Sequence, residues 1–392
     1  MLTAYWVAAS LAALWCTMLV TVVVRFLDSK RLSAYQPVPR GDARTLSVVI
    51  PARNEAHNIG DCVRSVLTSD YPRLQVVVVD DHSTDGTGDI VRAIAAEDPR
   101  VQVVNAPDLP DGWFGKQWAC FSGARAATGE LLCFIDADTR HGPKLLSLSV
   151  GAMRARGADL FTVAGHQDAD SFWEKVLQPY VFSLLLSRYG GMEAMSRSTK
   201  PLNKIANGQF ILMSRRTYDA IGGHESVKDH VAEDLRLAQL VTARGLQAHM
   251  LLARDEMRTR MYTSLREIRR GWGKNVYAGG RDTMPLNAVT EKIFTLIFPL
   301  PALVPLLPNI MLVLGLRGVL GEGALLFGSI AAPFTLLYYA GVYAYARLNP
   351  LWALTYPLAA VMFSWICAEA AWRGSKVEWK GRGYVSVSRR AT

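Results

Sequence analysis

The sequence of 392 residues lacks the cysteine patterns that stabilise small secreted domains or bind zinc. Its five cysteines are odd in number, scattered along the chain and never spaced as Cys-x-x-Cys. This pattern argues against a disulfide framework and against a cysteine-based zinc site. We therefore expect the cysteines to be free thiols in a reduced compartment.

The usual sequence signatures of phosphate binding and nucleic-acid binding are also absent. There is no Walker-type Gly-Lys-Ser/Thr loop, no Gly-x-Gly-x-x-Gly fingerprint, no zinc-finger spacing and no RNA-binding motif. The formal net charge is nevertheless +9, and the Lys and Arg residues cluster beside apolar segments. An anionic membrane surface is therefore the expected partner, and nucleic acid is not.

Charged residues are missing from residues 2–24, a run long enough to cross a hydrocarbon core of about 30 Å. Basic residues follow this run instead of preceding it, namely Arg25, Lys30 and Arg31. This order favours a retained anchor at residues 1–25 over a cleaved signal peptide. By the positive-inside tendency, we expect the following domain to lie in the cytoplasm.

Three more charge-free runs lie at residues 293–316, 324–346 and 348–368. The last two are credible spans, but the first contains four prolines, and a proline in a helix interior costs about 3 kcal/mol. A kinked, re-entrant or interfacial segment is therefore expected there. If all three runs crossed, the basic tail at residues 373–392 would lie outside. We instead expect a multi-pass protein of the inner (cell) membrane with a cytoplasmic tail.

Between the anchor and residue 293, after a polar linker at residues 26–45, apolar strand patterns alternate with amphipathic helix patterns. Strands are predicted at residues 46–50, 74–79, 101–105 and 131–135, and helices at 59–67, 88–97 and 118–127. Strands that are apolar on both faces and alternate with helices predict an α/β fold with a mostly parallel sheet.

Acidic and turn residues gather where three of these strands end. They are Pro51, Arg53 and Glu55 after the first strand, Asp81 after the second, and Asp136 and Asp138 after the fourth. Ligands of open α/β sheets bind beyond the carboxyl ends of the strands, where carboxylates can hold a divalent cation. Considered alone, the Asp136 and Asp138 turn fits a helix N-cap about equally well.

Taken in order, these motifs resemble the family 2 glycosyltransferases of the GT-A fold. The resemblance rests on Pro51-Ala52-Arg53-Asn54-Glu55, Asp80-Asp81-His82-Ser83, Gly115-Lys116, Asp136-Ala137-Asp138, Asn207-Gly208-Gln209-Phe210, Gly222-Gly223-His224-Glu225 and Glu233-Asp234-Leu235. It covers roughly residues 46–253, and the ordered series is more specific than any one motif. It implies a Rossmann-like nucleotide-diphospho-sugar transferase domain at residues 46–255, flanked by N-terminal and C-terminal transmembrane helices.

The resemblance also implies roles for individual residues. Contacts to a UDP-sugar are expected from Pro51, Arg53, Glu55, Asp81, Lys116 and Asp136, with Asp138 and Asp136 holding a divalent cation (Mg²⁺ or Mn²⁺). Asp234 is the expected catalytic base, and Gly208, His224, Glu233 and Trp272 are expected on the acceptor side. The cation would stabilise the departing diphosphate while Asp234 deprotonates an acceptor hydroxyl, and in-line attack would invert the anomeric configuration.

Two of these residues also have plainer explanations. Residues 229–245 predict an amphipathic helix, and Asp234 near its start would suit the helix dipole. Lys116 at a helix start could simply be solvated. We favour catalysis for Asp234 because it follows the motif at residues 207–210 and the Gly222-Gly223 turn.

The segment at residues 256–292 is basic and aromatic and is expected to face lipid headgroups. Within it, Gly271-Trp272-Gly273-Lys274-Asn275 resembles bacterial carotenoid and related lipid glycosyltransferases, whereas processive polysaccharide synthases carry Arg before the Trp. The resemblance implies transfer of one sugar, with glucose from UDP-glucose expected, to the hydroxyl or carboxyl of a carotenoid or other polyisoprenoid. The alternatives are a polyprenyl-phosphate sugar transferase and a catalytically silent anchoring subunit.

Two other segments leave alternatives open. Residues 172–189 predict either an interfacial helix that admits a lipid acceptor or a plain buried helix. In the tail, residues 377–384 also resemble the ends of such lipid glycosyltransferases. Either Lys380 or Arg382 would close over the diphosphate, or the tail would only anchor to headgroups.

Overall fold

The computed structural model describes residues 2–284, 287–374, 376–379 and 382–385. The strands are β1 (Leu46–Ala52), β2 (Leu74–Asp80), β3 (Val101–Asn105), β4 (Leu131–Ile135), β5 (Thr139–His141), β6 (Leu160–Gln167), β7 (Phe210–Ser214), β8 (Ala248–Thr259), β9 (Lys376–Trp379) and β10 (Arg382–Val385). The helices are α1 (Leu2–Leu27), α2 (Ile59–Leu67), α3 (Thr87–Glu97), α4 (Gly115–Ala126), α5 (Leu145–Ala155), α6 (Phe172–Tyr189), α7 (Met192–Arg197), α8 (Arg215–Ala220), α9 (Glu233–Ala243), α10 (Leu265–Asp282), α11 (Ala288–Ile297), α12 (Leu307–Leu316), α13 (Glu322–Tyr345) and α14 (Tyr356–Arg373).

Strands β1 to β8 form one sheet in the order β3-β2-β1-β4-β7-β6-β8-β5. The first four strands are parallel and are linked by helices, as predicted. However, β7 runs antiparallel to both β4 and β6, and β5 runs antiparallel to β8. The complete sheet is therefore mixed. Apolar patterning could not reveal this, because it reports burial and not strand direction.

The predicted elements of residues 46–135 are all present. The helix at 59–67 and the strands at 101–105 and 131–135 have their predicted bounds, whereas α4 begins three residues earlier, at Gly115. The helix predicted at residues 229–245 begins only at Glu233, which places Glu233 and Asp234 in its first turn. Strand β8 continues to Thr259, so the sheet extends past the predicted domain end at residue 255.

The sheet has a hydrophobic layer on each face. Side chains alternate along β1, so Val48 and Ile50 join the layer that contains α2 and α5, while Val49 joins the layer that contains α4 and α9. The segment predicted as a polar linker is packed against this domain. Leu32 is buried in the first layer, and the Leu252 N–H donates to the carbonyl of Lys30. The anchor is thereby fixed to β8.

Within the described residues, four helical segments are long and apolar enough to cross a membrane: Tyr5–Leu27, Val289–Leu316, Glu322–Tyr345 and Pro350–Arg373. The first packs on the third, where Trp15 Nε1 donates to Thr335 Oγ1 over 2.9 Å. The second is broken at its prolines into α11, a 3₁₀ segment (Leu300–Leu306) and α12. The break was predicted from the cost of proline within a helix.

Helix α6 packs against α13 and α14, as in the buried-helix alternative for residues 172–189. Tyr180 is fully buried and its ring stacks on Tyr339, while the Tyr343 hydroxyl donates to the carbonyl of Val176. At the start of α6, the buried Glu174 accepts two hydrogen bonds from Arg260, at 2.9 and 3.0 Å. This paired contact fixes α6 to the chain just beyond β8.

Candidate active site

A cavity of about 2070 Å³ extends from the carboxyl ends of β1 and β4 to the apolar helices. Its polar walls include Pro51, Arg53, Glu55, Lys116, Asp136, Asp138, Gly208, Glu233 and Asp234. Its apolar walls include Val22, Leu184, Phe294, Ile297 and Leu337 from α1, α6, α11 and α13. Typical small-molecule sites measure roughly 300–1,000 Å³, so this cavity has room for two substrates.

Lys116 lies at the centre of the polar end, in the first turn of α4. Its Nζ is 2.7 Å from Asp136 Oδ1 and 2.8 Å from Glu233 Oε1. Burial acts to lower the pKa of Lys116, but the two carboxylates outweigh it and hold that pKa well above its usual range. The structure therefore uses the Lys116 charge to join the end of β4 to the start of α9. Lys116 also lines the cavity, so its contact with the nucleotide sugar stays a prediction.

Replacing Lys116 with methionine should raise the pH below which activity is lost. The Lys116 charge lowers the pKa values of Asp136, Glu233 and Asp234. Without it these carboxylates hold their protons to higher pH, so activity should be lost at a higher pH than in the wild type. The pH dependence of kcat/KM measures this shift. Lys116→Arg keeps the charge, and Lys144→Met removes an exposed charge elsewhere. In both variants activity should be lost near the same pH as in the wild type. An unchanged pH dependence in Lys116→Met would contradict this role of the Lys116 charge.

Asp138 follows β4 and has a buried carboxylate oxygen, Oδ1, for which the described residues provide no hydrogen-bond partner. Burial, together with the charges of Asp136 and Glu55, raises the pKa of Asp138 to about 7. Burial also raises the pKa of Asp136, although Lys116 opposes this. A buried carboxylate without a partner is costly, and a bound cation would remove that cost. The residues therefore fit a divalent cation.

The described part of the chain has no group of three or more His, Cys, Asp or Glu side chains placed to hold a metal ion alone. Mg²⁺ and similar cations commonly bind one or two carboxylates together with substrate phosphates and water. Asp138, with Asp136 beside it, matches that kind of incomplete site. We therefore expect cation and nucleotide to bind together.

Asp234 is held by two backbone N–H groups. Its Oδ2 accepts from Gly208 over 2.9 Å and its Oδ1 accepts from Leu235 over 2.7 Å. Burial, together with the charge of Glu233, raises the pKa of Asp234 to about 6. A Cβ atom at position 208 would lie 3.1 Å from Asp234 Oδ2 and 3.3 Å from Lys116 Nζ. Glycine at position 208 therefore permits this close arrangement.

Asp81 lies directly after β2 but is not part of the cavity wall. Its side chain is 1% exposed, with Oδ2 bound by Arg382 at 2.7 Å and Oδ1 lying 3.3 Å from His82 Nδ1. Arg53 donates to the Asp81 carbonyl over 2.6 Å. The expected nucleotide contact is thus covered by the tail, through Arg382. Lys380, the other tail residue expected to approach the diphosphate, lies outside the described residues.

The acceptor-side residues separate into two groups. Gly208, Glu233 and Trp272 line the cavity, but the structure does not bring His224 into it. His224 is buried between Phe134 and Tyr218, and burial lowers its pKa to about 3, so it is a neutral core residue. Its place in a recognisable motif could not distinguish these two environments.

Trp272 is buried at the cavity wall, edge-on to Phe182, and its Nε1 has no hydrogen-bond partner in the described chain. A Cβ atom at Gly271 would lie 2.2 Å from the Tyr262 ring, so this glycine makes room for Tyr262. Gln178 also lines the cavity, and its buried amide has no partner in the described residues. This residue was not predicted from the sequence. The available signal was a polar residue inside the apolar pattern of residues 176–186.

Comparisons with known proteins agree with the fold. Residues 47–222 match the family described as "Glycosyl transferase family 2". The "4,4'-diaponeurosporenoate glycosyltransferase" of Staphylococcus aureus strain USA300 is 28% identical over 358 residues, covering 88% of this chain and 89% of that protein. The protein of the same name from strain MRSA252 is 27% identical over the same length.

A similar solved structure is that of the mannosyltransferase PcManGT from Pyrobaculum calidifontis in complex with GDP-Man and Mn²⁺. Its TM-score is 0.57 at 20% sequence identity, and the alignment covers 91% of this chain and 99% of that one. At this identity the likeness concerns the fold, and it confirms the predicted GT-A architecture.

Proposed function

We propose that this chain, a glycosyltransferase in which residues 47–222 match glycosyl transferase family 2, transfers one sugar from a nucleotide sugar to a membrane lipid. The main support is the cavity, which has a carboxylate-rich end and an apolar end in one continuous space. A charged sugar donor and a long apolar acceptor have opposite solvation requirements, and this cavity offers a suitable wall to each.

The donor is proposed to bind at the carboxyl ends of β1 and β4. There Asp138 and Asp136 would hold Mg²⁺ or Mn²⁺, which stabilises the negative charge on the departing diphosphate when bound. Arg53 and Glu55 line the same end of the cavity and would contact the nucleotide sugar. Glucose from UDP-glucose is the proposed donor, on the resemblance to lipid glycosyltransferases.

Asp234 is proposed to remove the acceptor proton. A pKa of about 6 leaves its carboxylate mostly ionised at neutral pH, yet makes it a stronger base than an ordinary aspartate. As the acceptor oxygen bonds to the anomeric carbon, the bond to the diphosphate breaks and the proton passes to Asp234. Attack opposite the leaving group inverts the anomeric configuration.

The acceptor is proposed to be a carotenoid or another polyisoprenoid that carries a hydroxyl or carboxyl group. The name of the Staphylococcus aureus relative specifies a diaponeurosporenoate acceptor for that protein. In this chain, the apolar side chains of α1, α6, α11 and α13 line the cavity beyond Asp234. They would receive the hydrocarbon chain and leave its polar end beside the base.

We propose that the protein is anchored in the cell membrane with the catalytic domain and tail on the cytoplasmic side. The basic residues after α1 favour this orientation. Because Arg382 contacts Asp81, the tail and the catalytic domain lie on the same side. The chain must then cross an even number of times between them, which fits spanning by α13 and α14 and not by the segment broken at its prolines.

In the presence of Mn²⁺, membranes that contain the protein should transfer the label from UDP-glucose to one lipid, which then carries a single sugar. Mass spectrometry of the extracted lipid identifies the acceptor, and NMR of the glycosidic proton tests for inversion. GDP-mannose serves as the comparison donor, and membranes with Asp138→Ala serve as the negative control. Label found only in a polymer, or no labelled lipid from either donor, would contradict the proposal. A sugar attached to a lipid phosphate would instead indicate a polyprenyl-phosphate transferase.

A further inference from the structure

The C-terminal strands β9 and β10 form an antiparallel hairpin in which Arg382 pairs with Trp379 and Tyr384 with Val377. This hairpin follows α14 and reaches back to the catalytic domain. Its contacts with Asp81 and with the start of α4 join residues that are about 300 positions apart in the sequence. Asp81 and the start of α4 lie at the edge of the sheet where ligands bind, so neither contact is needed to complete the hydrophobic core.

The first contact covers Asp81. The Arg382 guanidinium lies 2.7 Å from Asp81 Oδ2, and His82 occupies the side of the other oxygen, so the carboxylate is 1% exposed. An acid at the end of a parallel strand, beside a cavity, is placed to accept hydrogen bonds from the hydroxyl or N–H groups of a nucleoside. With Arg382 in place, no ligand can reach that carboxylate.

The second contact covers the start of α4. The Gly115 N–H donates to the Tyr384 hydroxyl over 3.3 Å, and the Tyr384 ring packs 4.4 Å from the ring of Phe114. Gly115 is the first residue of a 12-residue helix, where N–H groups lack partners inside the helix and favour oxygen ligands. Here the tyrosine oxygen takes a position that a ligand oxygen could use.

We propose that the C-terminal hairpin competes with the nucleotide donor, so that Arg382 and Tyr384 must leave Asp81 and Gly115 before a nucleoside diphosphate can bind there. This inference rests on the proposed function, which supplies the nucleotide. The Arg382 side chain is 24% exposed, so solvent and a ligand can reach the Arg382 end of this ion pair.

Two variants of the full-length protein should release the hairpin. Arg382→Gln removes the ion pair with Asp81, and Tyr384→Phe removes only the hydroxyl that accepts from Gly115. Each should bind UDP more tightly than the wild type in the presence of Mn²⁺, by roughly fivefold to tenfold for Arg382→Gln. Calorimetric titration in detergent measures this. Arg64→Gln, which removes an exposed ion pair with Glu97 elsewhere on the domain, is the matched control and should bind as the wild type does.

A cross-link tests the opposite state. In Phe114→Cys/Tyr384→Cys, a bis-methanethiosulfonate linker, which forms a disulfide with each thiol, should lock the hairpin in place and weaken UDP binding at least tenfold, and dithiothreitol should restore it. The Phe114→Cys single variant controls for the lost ring. UDP binding that is unchanged or weaker in Arg382→Gln, or equal in the locked and reduced forms, overturns the inference but leaves the proposed function intact. If neither UDP nor GDP binds to any of these proteins, both proposals fail.

Discussion

Replacing Asp234 with asparagine is expected to reduce the turnover of sugar transfer to a hydroxyl acceptor by a factor of about 10²–10⁴, the usual contribution of a general base. Asparagine keeps the size of the side chain and one oxygen that can accept from the Gly208 N–H. The bond from the Leu235 N–H is lost in the variant, so the lower turnover reports proton removal when UDP binding matches that of the wild type. Initial rates with saturating donor and acceptor measure the effect.

Donor binding provides the internal control for this experiment. Asp234→Asn should bind UDP with Mn²⁺ as tightly as the wild type does, and Asp219→Asn, which changes an exposed acid on α8, should retain full turnover. Wild-type activity in Asp234→Asn with a hydroxyl acceptor would remove Asp234 from the mechanism. Substantial residual turnover with a carboxylate or phosphate acceptor would instead show that the acceptor arrives already ionised.

The same carboxylate sets the expected pH dependence. Its pKa is raised to about 6, and only the ionised form can take a proton. For the wild type, kcat/KM should therefore rise with pH through a region near pH 6 and lose this limb in Asp234→Asn. The charges of Glu233 and Lys116 act on the pKa of Asp234, so the position of this limb depends on the whole group of interacting charges.

Replacing Asp138 with asparagine should abolish the dependence of donor binding on Mn²⁺, weakening UDP binding in Mn²⁺ by roughly 10²-fold. Its Oδ1 is buried without a partner in the described residues, so the amide removes a costly charge at that oxygen. The metal-free variant should consequently unfold at the same temperature as the wild type or higher. Only the wild type should be stabilised further by Mn²⁺ with UDP.

Asp136→Asn gives the informative comparison, because Asp136 is already paired with Lys116 at 2.7 Å. Its effect on Mn²⁺ dependence should be smaller than that of Asp138→Asn. The exposed Asp70→Asn controls for the loss of one negative charge. Undiminished Mn²⁺ dependence in Asp138→Asn, or a larger loss in Asp136→Asn, would reverse the roles given to these two carboxylates.

The elements of the fold that depend on patterns of neighbouring residues could be predicted from the sequence. The strand at residues 131–135 and the helix at 59–67 have their predicted bounds, because strand and helix patterns need only neighbouring residues. The direction of a strand in the sheet could not be predicted in this way. Strand β7 is antiparallel to β4, and its pairing depends on a connection of about 70 residues that no local pattern describes.

Site residues were predicted in a similar way. The ordered motifs identified Asp136, Asp138, Glu233 and Asp234, and the structure brings all four to one cavity. The same reasoning could not separate them from His224, which the fold turns into the core. The ion pairs of Lys116 could not be predicted either, because a sequence does not show that two carboxylates from distant elements converge on one ammonium group.

By itself, the sequence determined the α/β pattern, the apolar helices, the acids at the strand ends and the break at the prolines, since each depends on residues within one or two turns or strands. Only the tertiary structure decided which buried carboxylate oxygens lack a hydrogen-bond partner among the described residues and which carboxylates form ion pairs. It also decided how Arg382 of the tail contacts Asp81. These properties depend on burial and on charge pairs formed across hundreds of residues. The energies of such pairs exist only once the chain is folded.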